Sequence, residues 1–112
     1  MLNKLRRFLK KGFFRNMESY DIDMEELKRK KNNGAIIVDV RSSQEYNEGH
    51  INGAINIPEY KINCDLDKTL KDKNADVILY CLSGIRSKNA YKKMKKLGYK
   101  NVFNLYQGLD NY

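Results

Sequence analysis

Two runs of aliphatic and β-branched residues, over positions 36–40 and 77–80, constrain this chain more than any other feature. Neither alternates apolar with polar side chains as a strand with one wet face would. Dense runs of this length predict strands covered on both faces, the pattern of parallel sheets. Helical signals lie between and beyond them. Asp23-Met24-Glu25-Glu26 has the form of a capping box, opening a helix to about Lys31 that Asn33-Gly34 stops. Ser42-Ser43-Gln44-Glu45 offers a second cap, for a short helix ending at Gly49. Asp65 to Lys73 reads as a helix with Leu66 and Leu70 inward. Residues 87–97 form the clearest helix, with Ala90, Tyr91, Met94 and Leu97 as its apolar stripe and Gly98 beyond its end. Further strands are expected at 20–22, 54–57 and 102–105. Alternating strands and helices predict an α/β fold, a parallel sheet of about five strands flanked by helices.

Charge divides the chain unevenly. The net charge is +8, yet residues 1–16 hold six of the 22 basic residues and none of the 14 acidic ones. Leu2, Leu5, Phe8 and Leu9 recur there at helical spacing between Lys4, Arg6, Arg7, Lys10 and Lys11. The organisation expected is a basic amphipathic N-terminal segment, 1–16, followed by one nearly neutral domain, 17–112. The segment reads either as an interfacial helix touching an anionic membrane surface or acidic partner, or as an arm solvated or packed on its own domain. Lys10-Lys11 interrupt the apolar run a signal peptide needs. The expected location is the cytoplasm, peripheral to the membrane if the segment engages lipid. Charge without a base-reading motif does not point to nucleic acid.

Cysteine usage agrees with a reducing compartment. Cys64 and Cys81 are the only cysteines and His50 the only histidine, too few for a disulfide framework or a zinc set. Neither a metal nor an organic cofactor is expected. A Cys-His pair formed in space stays open.

The segment that carries chemistry is Asp76-Val-Ile-Leu-Tyr-Cys81-Leu-Ser-Gly-Ile-Arg86-Ser87. A buried strand ends at a cysteine, a Gly-containing loop turns, and a helix starts near Ser87. Ligands of open α/β sheets bind at the carboxyl ends of strands. A loop curling over the sulfur would aim the amides of Leu82, Ser83, Gly84, Ile85, Arg86 and Ser87 inward as an anion nest. The helix N-terminus and the Arg86 cation add positive potential, and together these favour the thiolate, the nucleophilic form of cysteine. A strand-end cysteine is also often an inert, small hydrophobe.

Four blocks in order resemble the rhodanese-like domains of the single-domain type, over about residues 18–110. They are Ile37-Val38-Asp39-Val40-Arg41 with Glu45-Tyr46, Gly49-His50-Ile51 through Pro58, Cys81 through Ser87, and Asn104-Leu105-Tyr106-Gln107-Gly108-Leu109. The resemblance implies a sulfurtransferase of the thiosulfate class. Cys81 would take the outer sulfur of a small anionic donor as a persulfide and pass it to a thiol or protein acceptor. Arg86 and the loop amides would hold the donor. Relatives acting on phosphate or arsenate have a C-x5-R loop, whereas Cys81 to Arg86 is C-x4-R, which favours sulfur over phosphate. Thiosulfate-preferring members often carry a second basic loop residue, where this chain has Leu82, Ser83 and Ile85. Gln107 stands where glycine is common, and Tyr112 lies near a usual tryptophan. The other reading is a non-catalytic module of the same fold, docked through residues 1–16.

Asp39, Arg41 and Glu45 read as a buried hydrogen-bonding network that fixes a strand–helix turn beside the site. His50 is expected to be structural, as in the family's block, and Cys64 to be buried or incidental. Lys88, Lys92, Lys93, Lys95 and Lys96 form a solvated helix face that complements the dipole and steers anions.

Overall fold

Five parallel strands make one sheet in the computed structural model, which describes residues 17–112. The basic segment 1–16, with the lipid or partner contact expected of it, lies outside the described residues. The strands are β1 (Asp21–Ile22), β2 (Ile36–Asp39), β3 (Ile55–Asn56), β4 (Asp76–Tyr80) and β5 (Asn101–Leu105). Their order is β1-β5-β4-β2-β3, so β4 is central. A helix follows each of the first four: α1 (Met24–Asn32), α2 (Ser43–Glu48), α3 (Ile62–Thr69) and α4 (Ile85–Lys96). The chain leaves β2 toward β3 on one side and β4 toward β5 on the other. The two connections therefore diverge at the carboxyl ends of β2 and β4, where an open α/β sheet forms its crevice.

Strand parity divides the core. In the β2–β4 register Ile37 pairs with Ile78 and Asp39 with Tyr80, while Val38 pairs with Leu79. Ile37, Ile78 and Tyr80 pack with Ile22, Leu27 of α1 and Leu105. Val38, Val40, Val77, Leu79 and Cys81 pack on the opposite side with Ile62 and Leu66 of α3 and Ala90 and Met94 of α4. Burying each such aliphatic side chain contributes roughly 1.5–3 kcal/mol, and both faces are needed to hold the sheet.

Buried polar groups fasten the end of β2. The fully buried Asp39 carboxylate accepts from Arg41 Nε at 3.0 Å, from Arg41 Nη2 at 2.7 Å and from the Arg41 main-chain N–H at 2.9 Å. Tyr80 Oη donates to the same carboxylate at 2.7 Å and accepts from the Ile51 N–H at 3.0 Å. Arg41 Nη2 also donates to the Gly49 carbonyl at 2.6 Å. Asn56 Nδ2 ties β3 in by donating to the carbonyls of Asp39 and Arg41. Two strands and the 49–51 turn are thus held to one carboxylate.

Most expected elements recur with small shifts of boundary, and one moves further. The helix expected over 65–73 is α3, Ile62–Thr69, entered through a 3-10 turn at Glu59–Lys61. Ile62, Leu66 and Leu70 are all buried, so the apolar row begins one turn before Asp65 and sets the helix there. Past Leu70 the Asp72 side chain accepts from the Asn74 N–H at 2.9 Å, a turn that competes with helix. Only half of the box at Asp23 forms. Asp23 accepts from the Glu26 N–H at 2.9 Å, whereas Glu26 pairs forward with Arg29 and Lys30. Among the described residues no helix is long and apolar enough to cross a membrane.

Replacing Asp39 by Asn leaves the buried Arg41 cation without its countercharge and is expected to cost about 3 kcal/mol or more. Tyr80→Phe, which removes one hydroxyl, is expected to cost about 1–2 kcal/mol. Urea denaturation of the three chains measures both, and equal small losses would contradict this view of the network.

Candidate active site

Cys81 is the first residue after the central strand, and parity turns its side chain under the start of α4. Its sulfur accepts from the Gly84 N–H at 3.0 Å and from the Ser87 N–H at 3.4 Å. Ser87 Oγ lies 3.4 Å from the same sulfur and is also 3.2 Å from the Gly84 carbonyl. Cys81 and Ser87 are both fully buried. Helix α4 has Gly84 as its N-cap, in the left-handed region at φ +92°, with no side chain to satisfy the first-turn amides. The Cys81 sulfur takes over the capping acceptor's role, receiving the third helical N–H in place of a serine or aspartate oxygen. Such amides, backed by the helix dipole, favour negative charge on the atom they face.

A second loop holds the first in shape. The N–H groups of Leu109 and Asp110 donate to the carbonyls of Cys81 and Leu82 at 3.0 and 2.9 Å. A Cβ at Gly108 would stand 2.5 Å from the Leu82 oxygen and 2.6 Å from the Cys81 oxygen. One at Gly84 would stand 3.0 Å from the Cα of Gln107. Gln107 is itself left-handed at φ +59°, the backbone reason glycine suits this position.

Arg86 is the only charged residue between Cys81 and Ser87, and it is engaged. Its Nη1 and Nη2 donate to Glu45 Oε1 and Oε2 at 2.6 and 3.0 Å, a forked pair linking α4 to α2. Glu45 belongs to a complete capping box, accepting from the Ser42 N–H at 3.2 Å while Ser42 Oγ accepts from its own N–H. The Arg86 guanidinium, helped by Ser42, holds the Glu45 carboxyl down at about 2. Glu45 is therefore ionised at neutral pH and does not join Asp39 and Arg41 as expected. The forked fit of guanidinium to carboxylate draws it to the loop instead. Leu82 and Ile85 stand at the loop surface, 40% and 62% exposed, and Ser83 is exposed beside them.

The remaining candidates fall away from the sulfur. His50 is exposed, its ring stacked on Tyr46 at 3.7 Å and its Nδ1 donating to the Tyr46 carbonyl at 2.8 Å. The Cys-His pair left open by the sequence is not formed. Cys64 is exposed on α3, not buried, because the inward row of that helix is Ile62, Leu66 and Leu70. Of the α4 lysines, Lys92, Lys95 and Lys96 are exposed and Lys93 pairs with Glu59 at 2.9 Å. Among the described residues no three metal-ligating side chains converge. Tyr80, Asn56 and Gly108 are the supporting residues that sequence reasoning missed. A tyrosine ending a buried strand was the available signal, since a buried hydroxyl requires a partner.

Residues 23–112 match the family described as Rhodanese-like domain. The chain is similar to the putative sulfur carrier protein YrkF of Bacillus subtilis, 32% identical over 114 residues covering 96% of this chain and 60% of that protein. It is 36% identical over 86 residues to the tRNA uridine(34) hydroxylase of Buchnera aphidicola, covering 73% of this chain and 28% of that protein. The chain thus spans less than two thirds of the length of either curated relative. The human single-domain sulfurtransferase TSTD1 matches with a TM-score of 0.75 at 23% identity, covering 84% of this chain and 95% of that one, a likeness of fold.

Gly108→Ala forces the two loops apart and is expected to cost roughly 2–4 kcal/mol. Gly34→Ala, also at positive φ but with open space around it, is expected to lose only about 1 kcal/mol. Thermal melts of both variants check this; equal losses would mean that the loop contact at Gly108 is slack.

Proposed function

This chain belongs to the rhodanese-like domain family, a family of sulfurtransferases, and on that premise we propose that it moves sulfane sulfur through a persulfide on Cys81. The observation that carries the reading is the sulfur at the carboxyl end of the central strand, facing the Gly84 and Ser87 amides. In the first half-reaction the Cys81 thiolate attacks the outer sulfur of a donor such as thiosulfate. The donor S–S bond breaks, sulfite leaves with the electron pair, and the negative charge passes to the outer sulfur of the new persulfide. In the second, a thiophilic acceptor takes that outer sulfur and the thiolate returns. Charge stays on sulfur throughout, which is what fixed amides and a helix N-terminus stabilise without reorganising. Two half-reactions through one covalent intermediate give ping-pong kinetics.

The short loop supports sulfur over phosphate as well. With both inward amides already within 3.4 Å of Sγ, the cradle is drawn around a single atom rather than a tetrahedral oxyanion. A persulfide needs a reduced thiol at rest, which fits the reducing compartment expected for this chain.

Thiocyanate formation from thiosulfate and cyanide tests the proposal. The chain should show turnover with parallel double-reciprocal lines, Cys81→Ser should fall by on the order of a thousandfold or more, and Cys64→Ser should retain the activity. An aryl phosphate should not be hydrolysed. Turnover that survives in Cys81→Ser, or phosphatase activity exceeding sulfur transfer, would overturn the assignment.

A further inference from the structure

The loop that holds the sulfur carries a single cation, and that cation is already matched by a carboxylate. Arg86 meets Glu45 through both guanidinium nitrogens, at 2.6 and 3.0 Å, with the guanidinium 40% and the carboxylate 29% exposed. Glu45 cannot swing aside freely, because Ser42 holds it from behind through N–H and hydroxyl contacts at 3.2 and 3.1 Å. The same loop exposes hydrocarbon: Leu82 and Ile85, with Ser83 between them, are two of the four large apolar side chains that stand exposed among the described residues. The main-chain amides remain to bind an anion, but no unpaired side-chain charge in the loop is left to hold a second negative charge.

Resting on the persulfide reading above, we propose that Glu45 is a specificity-determining residue. By neutralising Arg86 beside an apolar rim, it selects organic sulfane donors bearing a single negative charge over doubly charged thiosulfate. Persulfides and thiosulfonates with an apolar body share this chemistry. For a thiosulfonate the Cys81 thiolate attacks the outer sulfur, the donor S–S bond breaks, a sulfinate leaves with the electron pair, and the persulfide keeps one negative charge. The balance matches the thiosulfate reaction except that the donor and its leaving group each carry one charge fewer. The second charge of thiosulfate would meet a loop whose one cation is already neutralised by the Glu45 carboxylate, so it would gain no compensating attraction there.

The test compares kcat/KM for benzenethiosulfonate and for thiosulfate, with cyanide as acceptor, in the native chain and in Glu45→Gln. The amide oxygen of glutamine can still accept from the Ser42 N–H and keep the cap of α2, while the Arg86 fork loses its countercharge and one of its two acceptors. The native chain should favour benzenethiosulfonate. Glu45→Gln should raise the ratio of kcat/KM for thiosulfate to that for benzenethiosulfonate on the order of tenfold, whatever the loss of the α2–α4 link does to both donors in common. High salt should shrink the gain without abolishing it, because the pair is only partly exposed. Leu82→Lys, at an exposed loop position, adds a cation independently and should shift the ratio the same way. A merely structural role for Glu45 would lower both donors in parallel. That result, or a donor ratio unchanged in Leu82→Lys, overturns the proposal. Absence of turnover from either donor in the native chain defeats instead the sulfurtransferase reading on which it rests.

Discussion

The hydrogen bonds from the Gly84 and Ser87 amides to one sulfur atom are the interaction on which the arrangement depends. A helix needs an acceptor for its first amides, and glycine at the N-cap supplies none. Placing Cys81 three residues before Gly84 closes that gap with a sulfur instead of an oxygen. The same contacts that start α4 thereby surround the Cys81 sulfur, so seating the helix and holding the sulfur go together. A side chain at the glycine would press on Gln107 and loosen both the helix start and the hold on the sulfur.

The rest of the domain serves to keep the loop where the sheet ends. Opposite sides of the sheet divide the work, because adjacent residues of β4 point opposite ways. Tyr80 joins the Asp39–Arg41 cluster and secures the 49–51 turn on one side, while Cys81 goes under α4 on the other. The 106–110 segment, running from the end of β5, presses main chain against main chain at Gly108. Glu45 spans the crevice between the diverging connections and binds α2 to α4 through Arg86. The braces come from the segments at the ends of β2, β4 and β5, which is how a site built from one short loop is held from several directions.

Much of this was legible in the residues, and the exceptions have physical causes. Dense apolar runs at 36–40 and 77–80 announced buried parallel strands, and the cap at Ser42-Glu45 and the stripe at Ala90, Tyr91 and Met94 announced their helices. The cysteine loop was readable in part, because its backbone chemistry is local: of the six amides expected to turn inward, those of Gly84 and Ser87 reach the sulfur. Glu45 was misassigned for the opposite reason. Its partner lies 41 positions away, and a carboxylate near Arg41 in sequence gives no sign that a forked pair with Arg86 is available. The start of α3 was missed because Asp65 resembles a cap, whereas the buried row beginning at Ile62 decides the helix. Of the two readings of Cys64, buried or incidental, the first fails because it occupies a position of α3 outside the buried row of Ile62, Leu66 and Leu70. Gly108 could be read as a turn glycine, but its contact with the carbonyls of Cys81 and Leu82 exists only once two strand ends meet.

The measurement nearest to the central claim observes the two amides themselves. Proton–nitrogen correlation spectra of the labelled chain, recorded before and after loading with a sulfur donor and again after adding an acceptor, follow the Gly84 and Ser87 N–H signals directly. These two signals are expected to move more than any others on loading, to return when the sulfur is removed, and not to respond in Cys81→Ser. If sulfur is bound while both signals stay in place, or if Cys81→Ser responds as the native chain does, the Gly84 and Ser87 amides do not hold the sulfur that is loaded.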